Sequence, residues 1–475
     1  MKDYQAGYIK IALPKGRFLS PTANLLAEID LGFEGYSDKT KQYRLRSARF
    51  PSLSAKILQE KDIPIQVAVG NYDLGICGLD WIEEFLVKYP AGAIIKISGL
   101  NYGEGGIHVV ASAEAEITSL DELSARGSCR IVSEYPNLAE AFALNLRMRR
   151  FRIFPVWGAA EAYPPEDADL AVLWGKSRAH IAAQGLIPLE KLLLVTAFLI
   201  ANRESLENKD LSQILMCFDS KLSAEPQTSI DHELDICKEL KITRASWLAK
   251  EINLALPDGH QQAPTAQFLK QAGLVLQGYS EEVVSRRPSA GLDWLGIKVI
   301  RPQDMPLQVA NGNFDLAITG EDWLREHLYR FPSSPVKKLF ALGFGTVKIV
   351  AAVSQEIPVA DIDELRSLVQ SSKFAPLKVA SEYINIADKY LRDNHINPYK
   401  LIPTWGASEA FLPEDADMLI DNVQTGKTLK QHKLRIINVL FQSSACLIAN
   451  KNSLSNSDKK EKVKFLTQKL RAGLL

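Results

Sequence analysis

The sequence predicts an α/β protein that contains two tandem copies of one folding unit. Residues 63–85 (IPIQVAVGNYDLGICGLDWIEEF) match residues 305–327 (MPLQVANGNFDLAITGEDWLREH) at 13 of 23 aligned positions, which indicates an internal duplication. Short apolar runs alternate with helical patterns in each copy, and this alternation is typical of parallel α/β sheets. Because 475 residues are too many for one core, each copy is expected to form two lobes.

Four further pairs of short motifs keep the same order in both copies, at offsets of 243 or 248 residues, against 242 for the first match. They are Leu13-Pro14 with Leu256-Pro257, Ser133-Glu134-Tyr135 with Ser381-Glu382-Tyr383, Trp157-Gly158-Ala159 with Trp405-Gly406-Ala407, and Leu199-Ile200-Ala201-Asn202 with Leu447-Ile448-Ala449-Asn450. We therefore predict a first copy at residues 1–222, a linker with one helix at 223–249, and a second copy at 250–475. The linker is placed at SAEPQTS, a polar stretch with a proline.

Each copy is predicted to begin with a short apolar strand, at 9–13 and at 252–256. Further buried strands of the first copy are predicted at 74–77, 107–111, 130–132 and 170–173. A helix is predicted at 138–148, and closing helices are predicted at 206–222 and 458–474.

Composition excludes several classes of protein. Lysine plus arginine equals aspartate plus glutamate, at 56 each, so no basic surface for nucleic acid is expected. No apolar run approaches the length of a membrane span and the start lacks the apolar core of a signal peptide, so we expect a cytoplasmic protein without membrane contact. The five cysteines form no CxxC pair and the seven histidines do not cluster, which predicts reduced thiols and no structural zinc.

The segment 421–429 (DNVQTGKTL) follows an apolar strand and places an acid and a hydroxyl-rich glycine turn at its end. Thr425, Gly426 and Thr428 offer backbone N–H groups and two hydroxyls to a phosphate, and Asp421 could reach ribose hydroxyls or magnesium. The alternative is a polar turn that caps a helix. A P-loop is excluded because Asp421 occupies the position of its first glycine.

Together with 12–17 (ALPKGR) and 71–78 (NYDLGICG), this loop makes the chain resemble the ATP phosphoribosyltransferase family, the first enzyme of histidine biosynthesis. The resemblance covers nearly the whole chain, twice. It implies that each copy has two α/β lobes like those of type II periplasmic binding proteins. It also implies a reaction between N1 of ATP and C1 of phosphoribosyl pyrophosphate (PRPP), with release of pyrophosphate in the presence of magnesium.

The resemblance also implies roles for individual residues. PRPP would be bound by Glu409, Asp421, Thr425, Gly426, Lys427, Thr428 and Leu429. ATP or pyrophosphate would be bound by Lys15, Gly16, Arg17, Arg301 and Asp304. Lys15, Arg17 and Asp421 would be catalytic, through electrostatic stabilisation and positioning. No general base is needed, because adenine N1 already carries a free lone pair.

The two copies depart from the family pattern in complementary ways. The first copy has Leu173 and Arg178 at the positions of the loop's acid and turn glycine, so we expect it not to bind PRPP there. The second copy has Asp258 and His260 at the positions of the two cations. Each copy has therefore lost one half of a site.

These losses suggest an internal pseudo-dimer in which the Lys15–Arg17 loop and the Thr425–Thr428 loop serve one composite site. In the alternative, the second copy works alone, and Arg301 or Arg286 replaces the lost cations. The pseudo-dimer leaves room for further association into a homo-oligomer.

The resemblance also implies a protein partner. The short form of the family relies on a regulatory subunit resembling histidyl-tRNA synthetase, which this chain could bind or could have replaced by its own first copy. Two other functions compete with the enzyme: a regulatory or solute-binding protein without activity, and a phosphoribosyltransferase with another acceptor.

Overall fold

The computed structural model describes residues 8–37, 43–90, 92–115, 117, 119, 128–219, 250–371, 376–406 and 408–474. Its residues divide into two compact units. The first unit comprises the described residues of Met1–Pro155, Ala168–Thr243 and Trp405–Ala410, and the second comprises those of Val156–Asp167, Arg244–Thr404 and Phe411–Leu475. Each unit thus contains most of one sequence repeat and a short segment from the other repeat.

The first unit contains two β-sheets. Its strands are β1 Ile9–Lys15, β2 Arg44–Arg46, β3 Leu53–Gln59, β4 Leu74–Gly78, β5 Ile94–Gly99, β6 Gly105–Ser112, β7 Cys129–Ser133, β8 Phe151–Pro155, β9 Leu170–Gly175, β10 Leu186–Val195 and β11 Ala197–Asn202. Its described helices are α1 Leu19–Glu28, α2 Ile63–Ala68, α3 Leu79–Lys88, α4 Pro136–Asn145, α5 Arg178–Ala182, α6 Arg203–Asn208 and α7 Ser212–Phe218.

The strand orders are β2-β3-β1-β4-β11-β5 in the first sheet and β10-β6-β9-β7-β8 in the second. β1 pairs with β3 and β4 in parallel, whereas β11 returns from the second sheet and pairs antiparallel with β4 and β5. The last strand of the repeat therefore lies within the first sheet, between β4 and β5, so that the chain passes twice between the two lobes.

The second unit repeats this plan. Its strands are β12 Ile252–Pro257, β13 Gln277–Tyr279, β14 Val284–Ser289, β15 Leu295–Ile300, β16 Leu316–Gly320, β17 Val336–Ala341, β18 Val347–Ser354, β19 Leu377–Ser381, β20 Tyr399–Pro403, β21 Met418–Val423, β22 Leu434–Ser443 and β23 Ala445–Asn450. Its described helices are α8 Gln262–Gln271, α9 Met305–Ala310, α10 Glu321–Arg330, α11 Ile362–Gln370, α12 Ile384–Asp393, α13 Lys427–Gln431, α14 Lys451–Ser455 and α15 Ser457–Ala472.

Two five-stranded sheets, ordered β15-β12-β16-β23-β17 and β20-β19-β21-β18-β22, form the two lobes of the second unit, and β13-β14 is a separate hairpin. Each lobe of this unit has its own apolar core. The fold class predicted from the sequence, two tandem copies of a two-lobed α/β fold of the type II periplasmic-binding-protein kind, is confirmed.

The repeated Asn-(Tyr/Phe)-Asp-Leu motif has the same structural role in both units. Asp73 is buried and accepts a hydrogen bond from the backbone N–H of Lys10 at 2.8 Å, and Asp315 accepts one from Asn253 at 2.9 Å. Both carboxylates also pair with a lysine, Lys209 at 2.9 Å for Asp73 and Lys459 at 2.7 Å for Asp315. The motif therefore links the first strand of each repeat to residues that follow the last strand of that repeat. Its recurrence reflects folding.

Three expectations differ from the structure or lie outside it. The sheets are mixed instead of purely parallel, because β6, β11, β18 and β23 run antiparallel to their neighbours. The closing helix of the first repeat is broken into α6 and α7, since the Asp210 carboxylate accepts from the Ser212 N–H at 3.1 Å and starts a new helix. The linker at 223–249 lies outside the described residues, and the domain boundaries and the pseudo-dimer stay predictions.

Among the described residues, no helix is long and apolar enough to cross a membrane. The predicted closing helix of the second repeat is present as α15, one of the longest elements of the unit.

Candidate functional site

The loop predicted to bind PRPP joins β21 to α13 in the second unit. Gly426 lies at the helix start with a φ of 71°, a left-handed conformation that glycine adopts without strain. A Cβ built at this position would meet only the Val423 side chain, at 4.0 Å. The loop therefore needs glycine for its backbone conformation and not because neighbouring atoms crowd it.

The side chains of this loop leave an accessible surface. Thr425, Lys427 and Thr428 are exposed, so their polar groups can meet a ligand. Leu429 is 6% exposed and anchors the short helix against the lobe, which leaves only its backbone to contact a ligand. Asp421 is half-buried, and its Oδ1 accepts hydrogen bonds from the backbone N–H of Asn422 at 2.6 Å and from the Asn422 side chain at 3.2 Å.

The equivalent loop of the first repeat has a different backbone. Ser177 is extended, with a φ of −160°, and its hydroxyl accepts from the His180 N–H at 3.2 Å as a helix cap. Arg178 is then the first residue of α5, and no residue from β9 to α5 has a positive φ. The left-handed turn of the second repeat is thus absent from the first, as expected if only the second repeat holds a phosphate.

Lys15, Gly16 and Arg17 lie at the end of β1 in the first unit. Lys15 Nζ is 3.2 Å from the hydroxyl of Tyr43 and 5.1 Å from the centre of its ring. Gly16 has a φ of 89°, and its Cβ position is nearly free of neighbours. The glycine of the predicted phosphate-facing loop is again required by its backbone.

The guanidinium group of Arg17 is held by two carboxylates and contacts two aromatic rings. Its Nε lies 3.0 Å from Glu60, and its Nη2 lies 2.5 Å from Asp80, whose side chain is fully buried. The rings of Phe18 and Trp174 lie 4.6 Å and 4.9 Å from its central carbon. Arg17 therefore neutralises buried carboxylates of its own repeat.

The electrostatics of this cluster follow from burial. Burial lowers the pKa of Arg17, but Asp80 and then Glu60 outweigh this effect and raise it above the ordinary value. Burial raises the pKa of Glu60 to about 7, although Arg17 acts in the opposite direction. The pair with Arg17 thus offsets only part of the effect of burial on Glu60.

In the second unit, the position of Lys15 is taken by Asp258, which is 6% exposed and belongs to a charge cluster. Arg286 bridges two carboxylates, with 2.8 Å to Asp258 and 2.8 Å to Glu161. Arg301 adds a longer contact of 3.3 Å to Asp258, and 41% of its side chain is exposed. Burial opposes the charge on Arg286, but Glu161 and Asp258 raise its pKa. Asp258 is therefore neutralised, and Arg301 keeps an accessible positive charge.

Asp304, predicted to contact ATP or pyrophosphate, is 4% exposed and accepts from the backbone N–H of Trp157 at 3.0 and 3.1 Å. It fixes the segment Val156–Asp167 within the second unit. Lys298 holds the end of the same segment, with 2.8 Å to Glu166 and 2.5 Å to Asp167. The structure thus gives Asp304 an anchoring contact that its sequence position did not suggest.

The segment Trp405–Ala410 is the counterpart of Val156–Asp167, because it comes from the second repeat and lies in the first unit. The Trp405 backbone N–H donates to Asp62, and Lys61 Nζ lies 5.5 Å from the Trp405 ring centre. Glu409 belongs to this segment and hence to the first unit, whereas Asp421 belongs to the second. The two acids that the resemblance assigned to PRPP are therefore placed in different units.

The sequence did not identify Asn422 or Tyr383 as site residues. The side-chain amide of Asn422 donates to the Tyr383 hydroxyl at 3.1 Å, which joins the predicted loop to the buried part of the unit. Asn422 lies within the predicted loop 421–429 but had no role assigned to it, and the signal for Tyr383 was the recurrence of Ser-Glu-Tyr in both repeats.

Comparison with known proteins agrees with two repeats of one family. The model of the ATP phosphoribosyltransferase family matches residues 59–220 and 301–472. ATP phosphoribosyltransferase from Thermodesulfovibrio yellowstonii is 30% identical over 228 residues, which cover 48% of this chain and 73% of that protein. The enzyme from Saccharolobus solfataricus is 32% identical over 232 residues, which cover 48% and 73%.

Among solved structures, the ATP phosphoribosyl transferase (HisG:HisZ) complex from Thermotoga maritima contains a similar chain, with 22% sequence identity and a TM-score of 0.38. The match covers 47% of this chain and 98% of that chain. Each of these relatives thus corresponds to about half of the sequence.

Proposed function

Since the chain belongs to the ATP phosphoribosyltransferase family, we propose that its PRPP site is the loop from Asp421 to Leu429 in the second repeat. The enzyme is a pentosyltransferase of histidine biosynthesis. It transfers the phosphoribosyl group of PRPP to N1 of ATP and releases pyrophosphate. The proposal concerns which residues of the duplicated chain carry out this reaction.

One observation carries the proposal: Gly426 is left-handed, whereas its counterpart Arg178 is the first residue of a helix. A left-handed residue turns successive backbone N–H groups toward one side of the loop, where a phosphate can accept from them. The exposed hydroxyls of Thr425 and Thr428 lie on the same turn. These groups would bind the 5-phosphate of PRPP, and Lys427 would add a positive charge.

The acid of the loop has a separate task. As the bond from C1 to pyrophosphate lengthens, the ribose ring gains positive charge and pyrophosphate gains negative charge. The Asp421 carboxylate would face the ribose and favour its positive charge. N1 of adenine needs no deprotonation, so positioning and electrostatics supply the catalysis.

Two groups of cations compete for the departing pyrophosphate. Lys15 and Arg17 are assigned by the family resemblance, and Arg301 and Arg286 belong to the second repeat. The geometry favours Arg301, because Arg17 is already paired with Glu60 and Asp80. Arg301 has one carboxylate at 3.3 Å and an exposed side chain, so it could turn toward a new anion at little cost.

Mg²⁺ would bind together with the substrates. Within the part of the chain that the structure describes, no group of three or more His, Cys, Asp or Glu residues could hold a metal ion. The Mg²⁺ would therefore be bound mainly by phosphate oxygens of PRPP, with Asp421 as the nearest protein carboxylate in the loop. Its charge would assist the departure of pyrophosphate.

The setting of the reaction is also proposed. We place it in the cytoplasm, where ATP and PRPP are available. A regulatory subunit resembling histidyl-tRNA synthetase is the proposed partner, as the Thermotoga maritima relative was solved in a complex of two components. Co-purification of the full chain from its own cells, followed by identification of bound proteins, tests this partner.

The PRPP site is tested with the variant Gly426→Arg, which copies the residue of the first repeat. We expect PRPP binding, measured by calorimetry, to be abolished while the fold is retained, because the turn is exposed. The matched control is Gly185→Arg, a first-repeat glycine with a φ of 76° and no atom within 4 Å of its Cβ position. It imposes a similar backbone strain and should leave PRPP affinity unchanged. Wild-type affinity in Gly426→Arg would contradict the assignment.

A further inference from the structure

Tyr383 lies at the start of α12, with 1% of its surface exposed, and its hydroxyl makes two hydrogen bonds in the second unit. The hydroxyl donates to Oδ2 of Asp322 at 2.7 Å. It accepts from Nδ2 of Asn422 at 3.1 Å. Asp322 belongs to α10, the helix that follows β16, and Asn422 belongs to β21 of the second lobe, so one hydroxyl connects this helix to the end of that strand.

The ring and its acceptor are both held firmly. The Tyr383 ring packs on Trp323, with 4.4 Å between centroids. Asp322 is 4% exposed, and its Oδ1 accepts from the Ser443 hydroxyl at 2.7 Å. Because Asp322 accepts from both hydroxyls, the Tyr383 oxygen must present a lone pair to Asn422. Burial and the charge of Asp322 raise the pKa of Tyr383, which keeps this donor protonated.

Asn422 passes this constraint to the loop acid. Its Nδ2 lies 3.1 Å from the Tyr383 hydroxyl and 3.2 Å from Oδ1 of Asp421. Since Asn422 is exposed, its side chain would exchange among rotamers in water without the buried hydroxyl. With it, the amide N–H₂ group is directed toward both acceptors, and the Asp421 carboxylate has a fixed donor.

The first repeat contains the same tyrosine without this connection. Tyr135 donates to Asp80 at 2.8 Å, and its ring packs on Trp81 with 4.4 Å between centroids. At the positions of Asp421 and Asn422, however, the first repeat has Leu173 and Trp174. The chain of hydrogen bonds from a buried aspartate to a loop acid is therefore formed in the repeat that carries the proposed PRPP loop.

We propose that Tyr383 is a positioning residue for phosphoribosyl transfer: its hydroxyl, fixed by Asp322, orients Asn422 and thereby the Asp421 carboxylate that meets the ribose of PRPP. The inference rests on the proposed PRPP site and adds a residue that does not touch the substrate.

The test starts with Tyr383→Phe, which keeps the ring and removes the hydroxyl. Loss of the hydrogen bond that positions Asp421 should lower PRPP affinity, measured by calorimetry, about 3- to 10-fold, and it should lower kcat at least as much, because Asp421 favours the positive charge of the ribose. Tyr135→Phe is the matched control, since it removes an equivalent hydroxyl from a buried aspartate of the first repeat. We expect it to lower thermal stability to a similar extent and to leave PRPP affinity unchanged.

A double-mutant cycle separates positioning from a general structural role. In an Asn422→Ala background the chain of hydrogen bonds from Asp322 to Asp421 is already broken. Tyr383→Phe should then lower stability without any further loss of PRPP affinity. An equal fall of affinity in both backgrounds, or none in either, would overturn the inference. If Tyr383→Phe does not fold, Asn422→Ala tests the inference on its own, because the exposed Asn422 side chain can be removed without loss of the fold. Wild-type PRPP affinity in Asn422→Ala would overturn the inference. Gly426→Arg tests the PRPP site itself. If Gly426→Arg loses PRPP binding while Tyr383→Phe has no effect, the PRPP site stands and only the role of Tyr383 is wrong.

Discussion

The guanidinium of Arg17 lies 4.9 Å from the ring centre of Trp174 in the first unit. Arg17 follows β1 of the first sheet and Trp174 lies in β9 of the second sheet, so this contact joins the two lobes of the first repeat. In the second repeat, the corresponding residues are the exposed His260 and Asn422. The first repeat thus has a cationic and aromatic contact where the second has two small, exposed polar groups.

Removal of the Arg17 side chain should destabilise the first unit. Arg17→Ala leaves the buried carboxylates of Asp80 and Glu60 without their counter-charge, and we expect a loss of about 3 to 5 kcal/mol in the free energy of unfolding. Urea unfolding followed by circular dichroism measures it. The control His260→Ala changes the aligned, exposed residue of the second repeat and should be nearly neutral.

The same variant tests the composite site predicted from the sequence. If Arg17 meets the departing pyrophosphate, turnover of the folded Arg17→Ala protein should fall by roughly 10² to 10³. Wild-type turnover per folded molecule, together with reduced stability, would assign Arg17 to folding. Unchanged stability would contradict the structural role of Arg17.

Arg301 is the cation proposed to meet the departing pyrophosphate. Arg301→Ala should lower kcat by roughly 10² to 10³ while PRPP affinity changes less, because the contact strengthens as charge develops. Stability should be retained, since Asp258 keeps its 2.8 Å pair with Arg286. Gln59→Ala, at the aligned position of the first repeat, is the control for steady-state kinetics. Unchanged kcat in Arg301→Ala would return the role to Lys15 and Arg17.

Asp62 should make stability depend on pH. Burial raises its pKa from 3.8 to about 8, and its Oδ2 has no hydrogen-bond partner within the described residues. Between these values the folded state holds a proton that the unfolded state has lost, so stability falls as pH rises, by up to about 1.4 kcal/mol per pH unit. This stabilising contribution is fully present below pH 4 and is lost as pH rises through 8.

Asp62→Asn removes this titration and should make the unfolding free energy less steep between pH 5 and pH 8. Asp210→Asn is the control: Asp210 is exposed and its pKa is lowered by Ser212, so its replacement should keep the steep dependence. Denaturant titrations at four pH values provide the comparison. Equal slopes for wild type and Asp62→Asn would show that Asp62 is ionised in the folded protein.

The sequence was sufficient for features that depend on local pattern. The duplication, the strand after each repeat start and the glycine turn at Gly426 follow from identity, hydropathy and turn chemistry. The two long-range contacts of Arg17, to Asp80 and Trp174, could not be predicted, because they join residues 63 and 157 positions apart. The direction of the Asn422 amide likewise depends on a hydroxyl 39 residues away.

The number of PRPP molecules bound per chain tests the central claim most directly. Equilibrium dialysis of the full 475-residue chain against labelled PRPP should give one site per chain, although the sequence contains two repeats. Gly426→Arg should reduce that number to zero, and Arg178→Gly in the first repeat should leave it at one. Two sites per chain, or one site that survives Gly426→Arg, would contradict the assignment of PRPP to the second repeat.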